Sequence, residues 1–205
     1  MLRFSGILAL GLAAALLAGL PAFCAPRLQE GRIDLSEGLS FEKYITTGSG
    51  AQLGSALERV SSTSLSEPFA GFVKGIRTPL VLVAFTDISC PDCARTIPFV
   101  HAATLANPLV RAVYFKRDDA ARQFMRAQTG KASVPTIFVT DETGALVGGV
   151  YVEYPRKVQA LIDASVSDDE TAGHRKDLRS GLYDDEIESD LRELIEGAIA
   201  NLGAR

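Results

Sequence analysis

Six consecutive apolar residues, Leu80-Val81-Leu82-Val83-Ala84-Phe85, run between Thr78-Pro79 and Thr86-Asp87. No polar residue alternates with them, so the strand they predict is buried on both faces. Such a strand needs a layer of helices on either side of its sheet. The following residues supply them. Cys90 to Asn107 reads as a helix stopped by Pro108. Val110 to Phe115 reads as a second strand. Asp118 or Asp119 caps a helix that ends near Thr129-Gly130. Thr136 to Val139 and Ala145 to Val152 are a third and a fourth strand, joined by the turn Asp141-Glu142-Thr143-Gly144. A helix follows from about Pro155 to Ala164. The order β-α-β-α-β-β-α implies parallel pairing across the helical crossovers, with an antiparallel hairpin at the end. The fold class is therefore α/β, a central mixed sheet flanked by helices.

The rest of the chain adds extensions at both ends. Residues 1–24 have the form of a secretory signal peptide. Arg3 is followed by an apolar stretch of 14 residues, Ile7 to Leu20, and by the exit Pro21-Ala22-Phe23-Cys24-Ala25-Pro26. Cleavage is expected near 22–24. The less favoured alternative is an uncleaved membrane anchor, because no charge lies between Arg3 and Arg27. Phe23 is too bulky for a lipoprotein signal, so Cys24 is given no role. The expected location is outside the cytoplasm, most simply the periplasm, where cysteines are oxidised. Residues 27–77 form an N-terminal extension of two short helices and loops. Leu53, Ala56, Leu57 and Val60 fall at helical spacing, as do Phe69, Phe72 and Val73. Residues 78–164 form the central domain. Residues 165–205 form an acidic helical C-terminal extension with 11 acidic and 5 basic residues. Within it Ile187, Leu191, Leu194, Ile195, Ala198 and Leu202 make an apolar stripe that predicts a docked helix. Asp184 and Asp185 lie at its start, where the helix favours anions.

Composition narrows the function. Hydrophobic residues are 47% and charged residues 22% of 205, which excludes a disordered or multi-span membrane chain. The net charge is −4 and no basic cluster exists, so nucleic acid is not an expected partner. Three cysteines cannot staple a fold of this size.

Two of the three stand where chemistry is expected. In Ser89-Cys90-Pro91-Asp92-Cys93 a buried strand has just ended and a helix begins. A spacing of three on the first turn puts both sulfurs on one side of the helix, close enough for a disulfide. Pro91 is preorganised for the first helical position. Unpaired backbone N–H groups and the helix dipole favour negative charge at Cys90, and the thiolate is the nucleophile. Asp92 works the other way, since a nearby carboxylate disfavours the thiolate. These opposing effects predict a reducing rather than a strongly oxidising couple. A zinc site would need two further ligands, and only His101 and His174 remain, so no metal is expected. A purely structural disulfide across so small a loop would add little stability.

With these features in order, the chain resembles the thioredoxin superfamily over residues 78–164. The resemblance rests on the apolar strand, on Cys90-Pro91-Asp92-Cys93 opening a helix, on Pro98 within that helix and on Ser133-Val134-Pro135-Thr136 before the third strand. It implies a thioredoxin-like fold in which Val134-Pro135 is a cis peptide facing the cysteines, with Val134 offering its backbone to an extended substrate. It implies a thiol–disulfide oxidoreductase that reduces or isomerises disulfides of proteins or peptides. Cys90 would be the nucleophile and Cys93 the resolving thiol, and the pair would form a redox-active disulfide. No dissociable cofactor is implied, and a membrane electron carrier is the expected donor. Two positions depart from the family: Ser89 stands where a Trp is usual, and Ala84 where a buried Asp is usual. The tail around Ser180 to Ile187 is similar to the extension of one branch of thioredoxin-like proteins. The alternative function is a non-catalytic binding module or chaperone built on the same fold.

Overall fold

The computed structural model describes residues 28–29 and 31–204. Residues 1–24, expected from the sequence to be a signal peptide, lie outside the described residues, Cys24 included. A short antiparallel ribbon opens the fold, β1 (Leu28–Gln29) with β2 (Arg32–Ile33), followed by a 3₁₀ turn over Leu35–Glu37. Three helices come next, α1 (Phe41–Ile45), α2 (Gly50–Ser62) and α3 (Glu67–Gly75). The expectation of two helices here is therefore corrected to three helices and a ribbon. Each of the three starts on a serine, Ser40, Ser49 or Ser66, whose hydroxyl accepts a hydrogen bond from a backbone N–H of the first turn. In α2 Gln52 also accepts from the Ser49 N–H at 2.7 Å, completing a capping box.

The central domain follows the sequence pattern closely. Its elements are β3 (Leu80–Thr86), α4 (Pro91–Ala106), β4 (Val110–Lys116), α5 (Asp119–Thr129), β5 (Thr136–Thr140), β6 (Leu146–Val152) and α6 (Arg156–Ala164). The four strands form one sheet in the order β4-β3-β5-β6. β3 pairs in parallel with β4, Leu80 beside Val110, and antiparallel with β5, Phe85 beside Thr136. β5 and β6 form the hairpin, with a register shift between Phe138 and Thr140. All seven residues of β3 are buried. Phe124 of α5 meets Phe85 and Phe138 on one face of the sheet. On the other face α4 lies against β3 and β4.

Two helices complete the chain, α7 (Asp168–Ser180) and α8 (Asp184–Gly203). The apolar stripe of α8 is buried as its spacing predicts, with Ile187, Leu191, Leu194, Ile195 and Ala198 closed off from solvent. It lies along β6 and reaches β5, α3, α4 and α6. Gly148 makes this possible: a Cβ there would stand 3.2 Å from the Ala198 Cβ and 3.3 Å from the Leu194 carbonyl oxygen. Buried Glu188 of α8 accepts a hydrogen bond from the Ser66 N–H at 2.8 Å, tying the tail to α3. Among the described residues no helix is long and apolar enough to cross a membrane.

Candidate active site

The site forms where β3 hands over to α4. Asp87 shapes the connection: its carboxylate accepts from the Ser89 N–H at 2.9 Å and from the Ser89 hydroxyl at 2.6 Å. The carboxylate thus caps the loop as an Asx-turn does, and Arg117 approaches it at 3.7 Å. Cys90 is the N-cap of α4 and Pro91 its first residue. A sulfur thus stands where helices place an oxygen cap, accepting from the Cys93 N–H at 3.3 Å. The two cysteines approach to 3.1 Å and both are free thiols. Cys90 is half-buried and Cys93 fully buried.

These positions split the two acidities. The hydrogen bond from the Cys93 thiol does most to bring the Cys90 thiol down, to about 7. Burial opposes it, the Cys93 N–H supports it, and the Asp92 carboxylate opposes it again. For Cys93 burial pushes the thiol up, and the neighbouring Cys90 pushes it further. The Thr86 hydroxyl hydrogen-bonds Cys93 and works against that rise. Thr86 is itself held by the Tyr44 hydroxyl at 2.9 Å. The polar contact beside the buried sulfur thus comes from Thr86 and Tyr44, while Ala84 stands in the wall of β3 with no group to offer.

Opposite the cysteines lies the turn before β5. The Val134–Pro135 peptide bond is cis, and the Cys90 thiol donates to the Val134 carbonyl at 3.5 Å. The turn is fixed by the Thr136 hydroxyl, which donates to the Ser133 carbonyl at 2.7 Å. Cys90, Cys93 and Val134 are therefore brought together, although 44 residues separate the first from the last.

Asp92 needs a different account from its sequence reading. It is buried, and its two carboxylate oxygens accept from Arg179 of α7 at 2.7 and 3.1 Å. The carboxylate that opposes the Cys90 thiolate thus faces a guanidinium, a bidentate pair that offsets part of its charge. Arg95, one turn further along α4, pairs in the same way with Asp184 at the start of α8. Both tail helices are therefore tied to the first turns of the motif helix. Sequence reasoning missed Arg179 and α7 alike. The signals for α7 were Ser167, which caps it by accepting from the Glu170 N–H, and Gly181, which ends it at a φ of 97°.

His101 stacks on Phe41 with ring centroids 3.7 Å apart, and burial lowers its pKa. His174 lies on α7 and Lys116 at the exposed end of β4. Among the described residues no group of three or more His, Cys, Asp or Glu side chains could hold a metal ion.

A family model described as Thioredoxin matches residues 38–170. The chain is similar in structure to a protein of unknown function from Pseudomonas aeruginosa, at 21% identity and a TM-score of 0.64, covering 80% of this chain and 95% of that one. It is similar to an HIV epitope scaffold at 20% identity and a TM-score of 0.65, with the same coverage. At such identities the likeness is one of fold. No curated protein matches the chain.

Proposed function

Since the chain belongs to the thioredoxin family, we propose that it is an exported thiol–disulfide oxidoreductase that reduces or isomerises disulfides of proteins or peptides. The observation that carries this reading is the half-buried Cys90 thiol, capping α4 with its acidity raised to about 7, beside a buried and far less acidic Cys93. A thiol with its midpoint at about 7 is about half ionised at neutral pH, while its partner keeps its proton.

The Cys90 thiolate attacks one sulfur of the substrate disulfide, forming a mixed disulfide and releasing the other sulfur as a thiolate. Cys93 gives up its proton and its thiolate attacks the Cys90 sulfur. The second substrate sulfur leaves, the Cys90–Cys93 disulfide forms, and two electrons have passed to the substrate. An external dithiol must return them, and for an exported protein a membrane electron carrier is the donor that fits. The Val134 backbone beside Cys90 is the edge against which an extended substrate can pair, with Pro135 holding that edge to the cysteines. Pro91 and Asp92 set the start of the helix and the charge behind it. The leader-like residues 1–24 support export to the periplasm.

The test is the reduction of insulin by dithiothreitol, followed as turbidity. The protein should accelerate precipitation, and Cys90→Ser should abolish the acceleration. Equal rates with and without protein would refute the enzyme and favour a binding module.

A further inference from the structure

One wall of the site does not come from the sheet and its crossovers. A cavity of about 250 Å³ opens beside Cys90, between the first turns of α4 and the N-terminal helices α1 and α2. Its lining is largely apolar: Phe41, Ile45, Ala56 and Val60 on one side, Ile97 and Pro98 on the other. Such a space suits one bulky apolar group next to the sulfur under attack. Of its lining residues one is charged, Arg59 of α2. Arg59 is partly buried, and among the described residues no carboxylate pairs with it. Its charged neighbour is another guanidinium, Arg95, which is already committed to Asp184. An unpaired cation at the edge of an apolar pocket is complementary to an anion carried by an apolar ligand.

We propose that this cavity is the specificity pocket of the disulfide exchange site, and that it selects disulfides whose attacked half-cystine is flanked by a bulky apolar group bearing a carboxylate. The inference rests on Cys90 being the nucleophile. The apolar group fills the space under α2, the carboxylate meets Arg59, and the sulfur is delivered to Cys90. The net charge of the chain is −4, so a preference for an anionic substrate cannot come from its overall field and must be local.

The test is a single turnover of the reduced full chain with two aryl disulfides of similar size, the anionic bis(nitrobenzoate) disulfide and the uncharged dipyridyl disulfide. Each turnover converts one aryl disulfide to two thiols and leaves the Cys90–Cys93 disulfide, so no other reductant is needed. Arg59→Gln should slow the nitrobenzoate probe about fivefold, the size expected for one partly exposed charge pair. It should leave the dipyridyl probe within about twofold, and Arg59→Lys should restore most of the loss. Ala56→Trp should slow both aryl probes and leave the small bis(hydroxyethyl) disulfide unchanged; Ala56→Leu replaces it should the larger residue unfold the chain. The proposal is overturned if Arg59→Gln affects both aryl probes equally, which would mean that it acts on Cys90 itself, or affects neither. It is also overturned if filling the cavity slows all three disulfides alike or none. Cys90→Ser separates the two ideas: if that variant still turns over the probes, the nucleophile has been misassigned, whatever Arg59 does.

Discussion

The helices α2 and α8 both lie outside the sheet and its crossovers, and they are attached in opposite ways. α8 buries five apolar residues, closes along β6 where Gly148 lets it approach, and is tied by Asp184 and Glu188 to α4 and to the start of α3. α2 buries no residue fully and rests on α4 through partly buried Leu53, Ala56 and Val60. One helix completes the core, and the other leaves a cavity against α4, the helix that carries the cysteine pair. An amphipathic stripe alone does not separate these outcomes, because both helices carry one. What separates them is whether the opposite surface is shaped to receive the stripe.

The largest expected effect comes from breaking the tight docking. Leu191 is 1% exposed, and Leu191→Ala should cost about 2–5 kcal/mol in urea denaturation, as buried Leu truncations do. An intermediate loss is expected for Arg179→Ala. It leaves a buried Asp92 carboxylate without its partner, and because the arginine is partly exposed the cost should be about 1–2 kcal/mol. The same change should raise the Cys90 acidity midpoint above about 7, because the unneutralised carboxylate opposes the thiolate. Adding Asp92→Asn should bring the midpoint back down, which thiolate absorbance against pH will show. The smallest effect belongs to α2, where Leu57 is 49% exposed and Leu57→Ala should stay within about 0.5 kcal/mol. Equal losses for Leu191→Ala and Leu57→Ala would erase the contrast between the two helices.

The strands and the motif helix were legible because local pattern and burial agree there. β3 is apolar throughout and buried throughout, and α4 begins at the Cys-Pro pair and ends just before Pro108. The stripe of α8 was legible for the same reason. α7 was not, since a single apolar residue, Leu178, is buried along its length and its composition is mostly charged. α1 is five residues long and is held by Phe41, Tyr44 and Ile45 packing into a core assembled from distant segments, so no local period announces it. In the site, the Cys90–Cys93 pair and the Val134-Pro135 turn could be named in advance. The partners that tune them could not. Arg179 meets Asp92 across 87 residues of sequence, and the Tyr44–Thr86 contact spans 42. Pairings at that range are created by the fold and leave no spacing to read.

The division of labour between the two sulfurs is tested most directly by alkylating the reduced protein with iodoacetamide across pH, with each cysteine quantified by mass spectrometry. Cys90 should be modified with a midpoint at about pH 7, its rate rising as the thiol ionises and levelling above that, while Cys93 stays unmodified through this range. Modification of both cysteines in parallel, or a Cys90 midpoint near the ordinary thiol value of 9.0, would contradict the account.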